Sequence, residues 1–301
     1  MQGRFFALPG NNLGNISQHS WSLNSVSSRR KSTILADSSP LSGAQEQIRD
    51  FYRALHHAWG PQNWWPAATS FEMIVGTFLT QNTAWTNVEK ALQNLREANV
   101  VTIAAIRDIP LHDLERLIRP AGYFRQKSTR LKTFVSFLDD RYSGSLERMF
   151  EEPTSKLRAE LLGLNGVGPE TADSILLYAG NHEVFVVDAY TRRVLHRHNV
   201  LSTQADYETV RELFELALPP LTIDQSRRRK TQNAYQRVPP HAPSALSQTT
   251  RPETVQMFNE MHAWIVGIGK DYCRKSKPLC EECPLSQFLA AKAPKSLLEP
   301  L

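Results

Sequence analysis

The sequence predicts an all-α fold, and three observations carry that expectation. Apolar residues recur at helical spacing in one stretch after another from Ala44 onward. Strand-like alternation is nearly absent. The stripes are also punctuated by residues that start and stop helices, such as Thr69-x-x-Glu72 and Gly60-Pro61. At 301 residues the chain can bury a proper core, in one large domain or two interleaved ones. No segment approaches the roughly 18 uninterrupted apolar residues of a membrane span, so the expectation is a soluble protein with no membrane partner.

Residues 1–43 are rich in Ser, Asn and Gly, carry Arg29-Arg30-Lys31 and show no apolar periodicity, so they read as a disordered basic tail. An acid-poor start with Ser and Arg also suits an organellar transit peptide. Ile48, Phe51, Tyr52, Leu55 and Trp59 then predict a first helix that stops at Gly60-Pro61. Capping boxes at Thr69-x-x-Glu72 and Thr86-x-x-Glu89 predict the next two, over Phe71 to Leu79 and Val88 to Leu95. Further stripes predict helices over 111–118, 127–138, 156–162, 169–179, 189–196 and 207–216. Residues 222–250 lapse into Arg227-Arg228-Arg229-Lys230 and Pro239-Pro240, which predicts a flexible insertion whose basic block is either solvated or in contact with phosphates. Helical spacing returns over 254–268, with Val255, Phe258, Met261, His262 and Ile265 on one face.

Three local patterns carry chemistry. Leu162-Gly163-Leu164-Asn165-Gly166-Val167-Gly168-Pro169 sits between two helical stripes, where Gly166 and Gly168 permit positive φ or close approach and Pro169 suits a first helical turn. Such a helix-hairpin-helix aims free N–H groups and a helix dipole at one spot, as a DNA phosphate requires; the alternative is an ordinary αα-turn with glycine caps. The apolar run Val184-Phe185-Val186-Val187 ends in Asp188 at the mouth of the next helix, which marks a partly buried functional carboxylate or an N-cap. All three cysteines fall between Cys273 and Cys283, which argues for a metal or redox-cofactor site in a reducing compartment and against a disulfide framework. The net charge of +5 suits a polyanionic partner.

Leu164-x-Gly166-Val167-Gly168-x-x-Thr171-Ala172 followed by Val186-Val187-Asp188 and Arg192 resembles the helix-hairpin-helix DNA glycosylase superfamily, in its endonuclease III-like branch. Phe71 to Thr83 resembles that family's helix and base-replacing loop, and Ala121 to Lys127 its Gly-Tyr/Phe-x-x-x-Lys segment. The resemblance covers about residues 44 to 284. It implies a six-helix barrel over 69–188, with the helix-hairpin-helix at 155–179. This barrel would pack on a second helical domain made of 44–68, 189–221 and 251–289, leaving 290–301 as a tail and a DNA-binding cleft between the domains. It further implies a monomer acting on double-stranded DNA that contains a damaged base. DNA-binding roles then fall to Gln81, Asn82, Lys127, Leu164, Gly166, Val167, Gly168, Thr171 and Arg192. Asn82 or Gln81 would fill the hole left by the extruded base, unless the two merely end their helix in a polar loop. A bacterial protein of this kind would be cytoplasmic and nucleoid-associated, and a eukaryotic one organellar or nuclear.

Such an enzyme flips the target nucleotide out of the duplex and stabilises positive charge on the sugar as the glycosidic bond breaks, and Asp188 is the expected catalytic carboxylate. Bifunctional members attack the sugar with a hairpin lysine; Glu170 stands at that position here, and a carboxylate cannot form an imine. The chain therefore resembles the monofunctional subset, and especially the bacterial 3-methyladenine glycosylases. Trp64-Trp65-Pro66 fits a pocket for positively charged alkylpurines, with Trp64, Trp65 and Glu170 as its walls, or else a plain piece of core. Rival readings are a glycosylase for oxidised pyrimidines or mismatches, and a non-catalytic DNA-binding relative. Cys273-x6-Cys280-x2-Cys283 resembles the family's [4Fe-4S] loop, with Leu289 at the fourth ligand position. Its fourth iron would need water, an exogenous ligand, Glu281 or Glu282; a zinc site and a metal-free remnant are the alternatives.

Overall fold

The computed structural model describes residues 40–62, 67–219 and 244–289. Residues 1–39 of the expected tail, most of the expected 222–250 insertion, the 290–301 tail and both Trp64 and Trp65 lie outside them. Among the described residues the fold is all-helical, with twelve α-helices and no strand.

Helix α1 (Pro40–Trp59) begins before Ala44, because Pro40 supplies a preset φ at the first helical position. The apolar stripe expected for it is buried throughout, and Gly60 ends it at φ 62°. Helix α2 (Ser70–Thr80) is capped as expected by the Thr69 hydroxyl, which accepts from Glu72 N at 3.1 Å. The Glu72 carboxylate does not close back on Thr69; it accepts from Ala68 N and pairs with Arg96. Helix α3 (Trp85–Glu97) corrects the second capping box, since it starts two residues early with Ala84 as an N-cap that makes no side-chain bond, and Thr86 falls inside its first turn.

Helices α4 (Ile103–Asp108) and α7 (Leu146–Phe150) were not expected from the sequence, being too short to show a stripe. Their only local signals are the capping hydroxyls of Thr102 and Ser145. Between and after them come α5 (Leu111–Ile118), α6 (Phe124–Tyr142) and α8 (Thr154–Leu162). Helix α9 (Pro169–Ser174) continues as a π-helical turn over Ile175–Ala179, so the single helix expected over 169–179 is wound in two ways. The remaining helices are α10 (Ala189–Arg197), α11 (Tyr207–Ala217) and α12 (Glu253–Asp271).

Helix α2 packs on α3, α6 and the π turn, α3 and α6 on α5, and α8 on α9. Helix α1 lies against α11 and α12, and α10 against α12, so the first helix completes a layer with the last three. Helix α12 also touches the π turn.

Val184 to Val187 crosses the core as an extended, buried link, a placement that obliges its backbone groups to find partners. Helix α11 provides two of them: Glu215 accepts from Phe185 N at 2.9 Å, and the Tyr207 hydroxyl from Val187 N at 3.3 Å. Phe185 stacks on Phe214 with ring centroids 4.0 Å apart. Burying a phenylalanine of this kind contributes about 1.5–3 kcal/mol and fixes where the chain emerges, at Asp188.

Of the expected 222–250 insertion, only residues from Ser244 onward are described. Residues 246–248 form a 3-10 turn with Ser247 buried, tied to Ala67 O through Leu246 N and to Arg251 through Leu246 O.

Candidate active site

The hairpin between α8 and α9 takes the form its glycines predict at one position and not at the other. Gly166 has φ +80°, and a Cβ there would lie 2.0 Å from Arg130 Nε, so both conformation and space require glycine. Gly168 is extended, at φ −94°, with open space around it. Its value is that no side chain covers the backbone entering α9. Leu164 and Val167 pack inward and support the turn.

Gln81 does not project freely. Its Nε2 donates to Gly166 O at 3.0 Å and to Thr171 Oγ1 at 2.9 Å, and its Oε1 accepts from Arg130 Nη1, so it braces the hairpin from inside. Thr171 is largely buried, its hydroxyl accepting from Gln81 where it borders the cleft. Asn82, next in the chain, is exposed with φ +53° and lines the cleft. Lys127 also corrects its expected DNA contact. It is 1% exposed, and its ammonium donates to Leu79 O, Thr83 Oγ1 and Ala121 O at 2.7–2.8 Å, joining the Asn82 loop to the loop before α6. That burial pushes its amine down to about 8. Arg192 is half-buried and spends one nitrogen on Ala205 O at 2.6 Å.

A cleft of about 1240 Å³ opens beside the hairpin, lined among others by Asn82, Arg130, Glu170, Tyr178, Asp188, Tyr190, His262 and Lys270. Asp188 caps α10: its Oδ1 accepts from Thr191 N at 2.7 Å and from Thr191 Oγ1 at 2.9 Å. Cap and cleft residue therefore coincide, because its Oδ2 points away from the helix toward His262 Nε2, 3.6 Å distant, and the side chain keeps 12% exposure. Burial works to raise this carboxyl, but His262 and the two Thr191 donors outweigh it and hold Asp188 below its ordinary range. Glu170 moves the other way. It stays in contact with solvent, yet enclosure by the cleft walls and the neighbouring Asp188 charge push it up to about 7.

The cysteine loop after α12 is held by arginines from α10. Arg193 donates to Cys273 O and Gly269 O, while buried Arg197 donates to Cys273 Sγ at 3.3 Å and to Arg274 O and Lys275 O. Burial pushes the Cys283 thiol up to about 12 and Cys280 in the same direction. Among the described residues no three His, Cys, Asp or Glu side chains are arranged to hold a metal ion. With leucine at position 289, the residues present do not fit a four-thiolate cluster.

Tyr178, Tyr190 and His262 are among the cleft residues that the sequence signals left unassigned. His262 showed only as one member of an apolar face, and Tyr178 as part of the expected 169–179 helix.

The pattern of the HhH-GPD superfamily base excision DNA repair protein matches residues 75–220. A Methanocaldococcus jannaschii protein named "Putative DNA repair glycosylase MJ1434" is 40% identical over 249 residues, covering 82% of this chain and 97% of its own length. Endonuclease III of Thermotoga maritima is 26% identical over 213 residues, covering 71% of this chain and 79% of that one. Among solved structures, the H. pylori 3-methyladenine DNA glycosylase (MagIII) bound to 1,N6-ethenoadenine aligns with a TM-score of 0.54 and 26% identity, covering 75% of this chain and 95% of that one. A trapped endonuclease III–DNA covalent intermediate shares the fold, with a TM-score of 0.61 at 20% identity, over 84% of this chain and 98% of that one.

Proposed function

Because the chain belongs to the HhH-GPD superfamily of base excision DNA repair proteins, we propose that Asp188 is its catalytic carboxylate and that it releases alkylated purines by hydrolysis, without cutting the strand. At the coarser level the chain is a DNA glycosylase, an enzyme that binds DNA and breaks the N-glycosidic bond. Among the described residues no helix is long and apolar enough to cross a membrane.

A glycosylase reaches its target by turning the nucleotide out of the stack, which costs a few kcal/mol of unstacking. The cleft beside the hairpin is the space for that nucleotide, with Asn82 at its edge to occupy the vacated position in the duplex. As the bond to the base lengthens, positive charge develops on the sugar, and an ionised Asp188 stabilises it. Oδ1 is engaged by Thr191, so Oδ2 is the oxygen that faces the sugar and orients the attacking water.

The observation that carries the hydrolytic reading is Glu170, which stands on the hairpin side of the cleft where an imine-forming enzyme needs an amine. The same residue supports the choice of substrate. Purines alkylated at ring N3 or N7 are cations, and a cleft lined by two carboxyls and by Trp85, Tyr178, Tyr190 and Tyr207 favours them over neutral bases. The H. pylori relative is likewise a 3-methyladenine glycosylase.

One observation favours a second reading, since the amine of Lys270 also lines the cleft and could attack the sugar. Duplexes each carrying one alkylpurine, oxidised pyrimidine or mismatch, assayed for released base and then treated with hot alkali, decide both points. The proposal expects fastest release from the alkylpurine duplex, strand breaks only after alkali, and no covalent adduct with borohydride. An adduct that Lys270→Ala abolishes would establish the second reading, and preferred release of an oxidised pyrimidine would overturn the substrate assignment.

A further inference from the structure

Asp188 sits at the end of a chain of three side chains drawn from three different elements, of which Tyr178 and His262 are buried. The Tyr178 hydroxyl and His262 Nδ1 share a hydrogen bond, and His262 Nε2 faces Asp188 Oδ2 at 3.6 Å. Tyr178 lies in the π turn, His262 on α12 and Asp188 at the N-terminus of α10. The imidazole is also fixed from its sides, with the Tyr178 ring centroid at 5.9 Å and the Phe185 ring edge-on at 6.2 Å.

The π turn has a role in this arrangement. One extra residue in a helical turn rotates everything after it by about 100° relative to an α-helix. The wider winding over Ile175–Ala179 places Tyr178 against α12, where its hydroxyl meets His262. A π turn has poorer backbone geometry than the α-helix it interrupts, and such turns concentrate at functional sites.

We infer that His262, oriented by Tyr178, is a positioning residue that holds Asp188 Oδ2 toward the sugar and sustains its negative charge. The inference rests on Asp188 being the catalytic carboxylate. The two Thr191 donors hold Oδ1 alone and, among the described residues, leave Oδ2 without a donor on its own side of the carboxylate plane other than the facing imidazole. The imidazole of His262 stands opposite that oxygen, at 3.6 Å.

The charged and titratable groups around His262 include Asp188 at the N-cap of α10, Glu170 on α9 and Tyr178 in the π turn, with Tyr190, Arg193, Tyr207 and Lys270 lining the same cleft. His262 lowers both carboxyls, yet Asp188 remains below its ordinary range while Glu170 stays well above it. Removing the imidazole therefore takes away a support of the Asp188 charge and leaves burial, which acts in the opposite sense, opposed by Thr191 alone.

The test uses the full chain and the lesion duplex that the wild type opens fastest. Single-turnover base release is measured from pH 4.5 to 8.5 for His262→Gln, His262→Ala, Tyr178→Phe and Asp188→Asn, with duplex affinity and thermal melting recorded for each. A misplaced carboxylate costs on the order of a hundredfold in rate, which is the loss expected for His262→Ala. His262→Gln retains a donor and should recover part of it. In both variants the acid limb of the rate profile should move to higher pH, while duplex affinity stays as in the wild type. Tyr178→Phe preserves the ring and should shift the limb in the same direction by less. A loss of rate that is uniform across pH, or one matched by an equal loss of affinity, would reduce His262 to a packing residue and overturn the inference. Wild-type rates in all His262 and Tyr178 variants, with Asp188→Asn inactive, would sink this inference alone. Base release by Asp188→Asn would sink the reading beneath it.

Discussion

Glu170 and Asp188 reach one cleft from two helices, and their surroundings push the two carboxyls in opposite directions, Glu170 up to about 7 and Asp188 below its ordinary value. Pairs of acids driven apart in this way divide the charge states an active site needs. At neutral pH Asp188 is an anion fixed at a helix N-terminus, while Glu170 is poised to gain or lose a proton.

Glu170 therefore gives the substrate preference a pH dependence. Below about 7 it is neutral, and above it the cleft holds a second negative charge that attracts a cationic base. The ratio of alkylpurine release to release of a neutral lesion should rise through pH 7 in the wild type and be flat in Glu170→Gln. Folding raises this acid from 4.5, so the wild type loses stability as pH climbs from 4.5 through about 7. The melting temperature of the Gln variant should gain on the wild type across that window. A constant difference between the two proteins from pH 4.5 to 8 would contradict the enclosure of Glu170.

Lys127 is a clamp between two loops. Lys127→Met leaves three inward-facing acceptors without their donor, which should cost about 3 kcal/mol or more. In the fraction that folds, the salt dependence of duplex binding should match the wild type, because no phosphate contact is lost. Denaturant unfolding and a salt titration check the two halves, and a shallower salt slope with unchanged stability would restore Lys127 to the DNA surface.

Gln81 and Asn82 should separate in function although they are neighbours. Gln81→Ala frees the hairpin and should weaken binding to undamaged duplex as well as slow base release. Asn82→Ala should slow base release while binding to undamaged duplex is largely kept. Parallel affinity and rate measurements on both variants would reveal the reverse assignment if Asn82 proved the more costly for undamaged DNA.

Arg197 holds the cysteine loop through one thiol and two carbonyls. Arg197→Met should lower the melting temperature markedly, and anaerobic treatment with iron and sulfide should not restore it. Recovery of stability together with visible charge-transfer absorbance would place a cluster in the loop.

Much of this architecture was legible in the chain. Thr69 and Glu72 announced α2, the apolar stripe of α1 was buried as read, and the glycine turn stood where Gly166 and Pro169 put it. Short helices escaped, because α4 and α7 hold too few residues for a stripe and depend on Thr102 and Ser145 caps. Site residues escaped for a different reason. His262 belongs to an apolar face and Tyr178 to an apolar run, and only the π turn and the docking of α12 bring them to Asp188, which no local pattern encodes. Lys127 misled for the same cause: a lysine in a DNA-binding motif looks exposed until three acceptors converge on it.

The central claim is that an ionised Asp188 performs the chemistry, and Asp188→Asn tests it most directly. Asparagine caps a helix as well as aspartate does, so α10 should stay in place. The account predicts a loss of single-turnover base release on the order of a thousandfold, with affinity for the lesion duplex within about threefold of wild type because phosphate contacts are untouched. Base release at near wild-type rate by Asp188→Asn, with the fold intact, would contradict it.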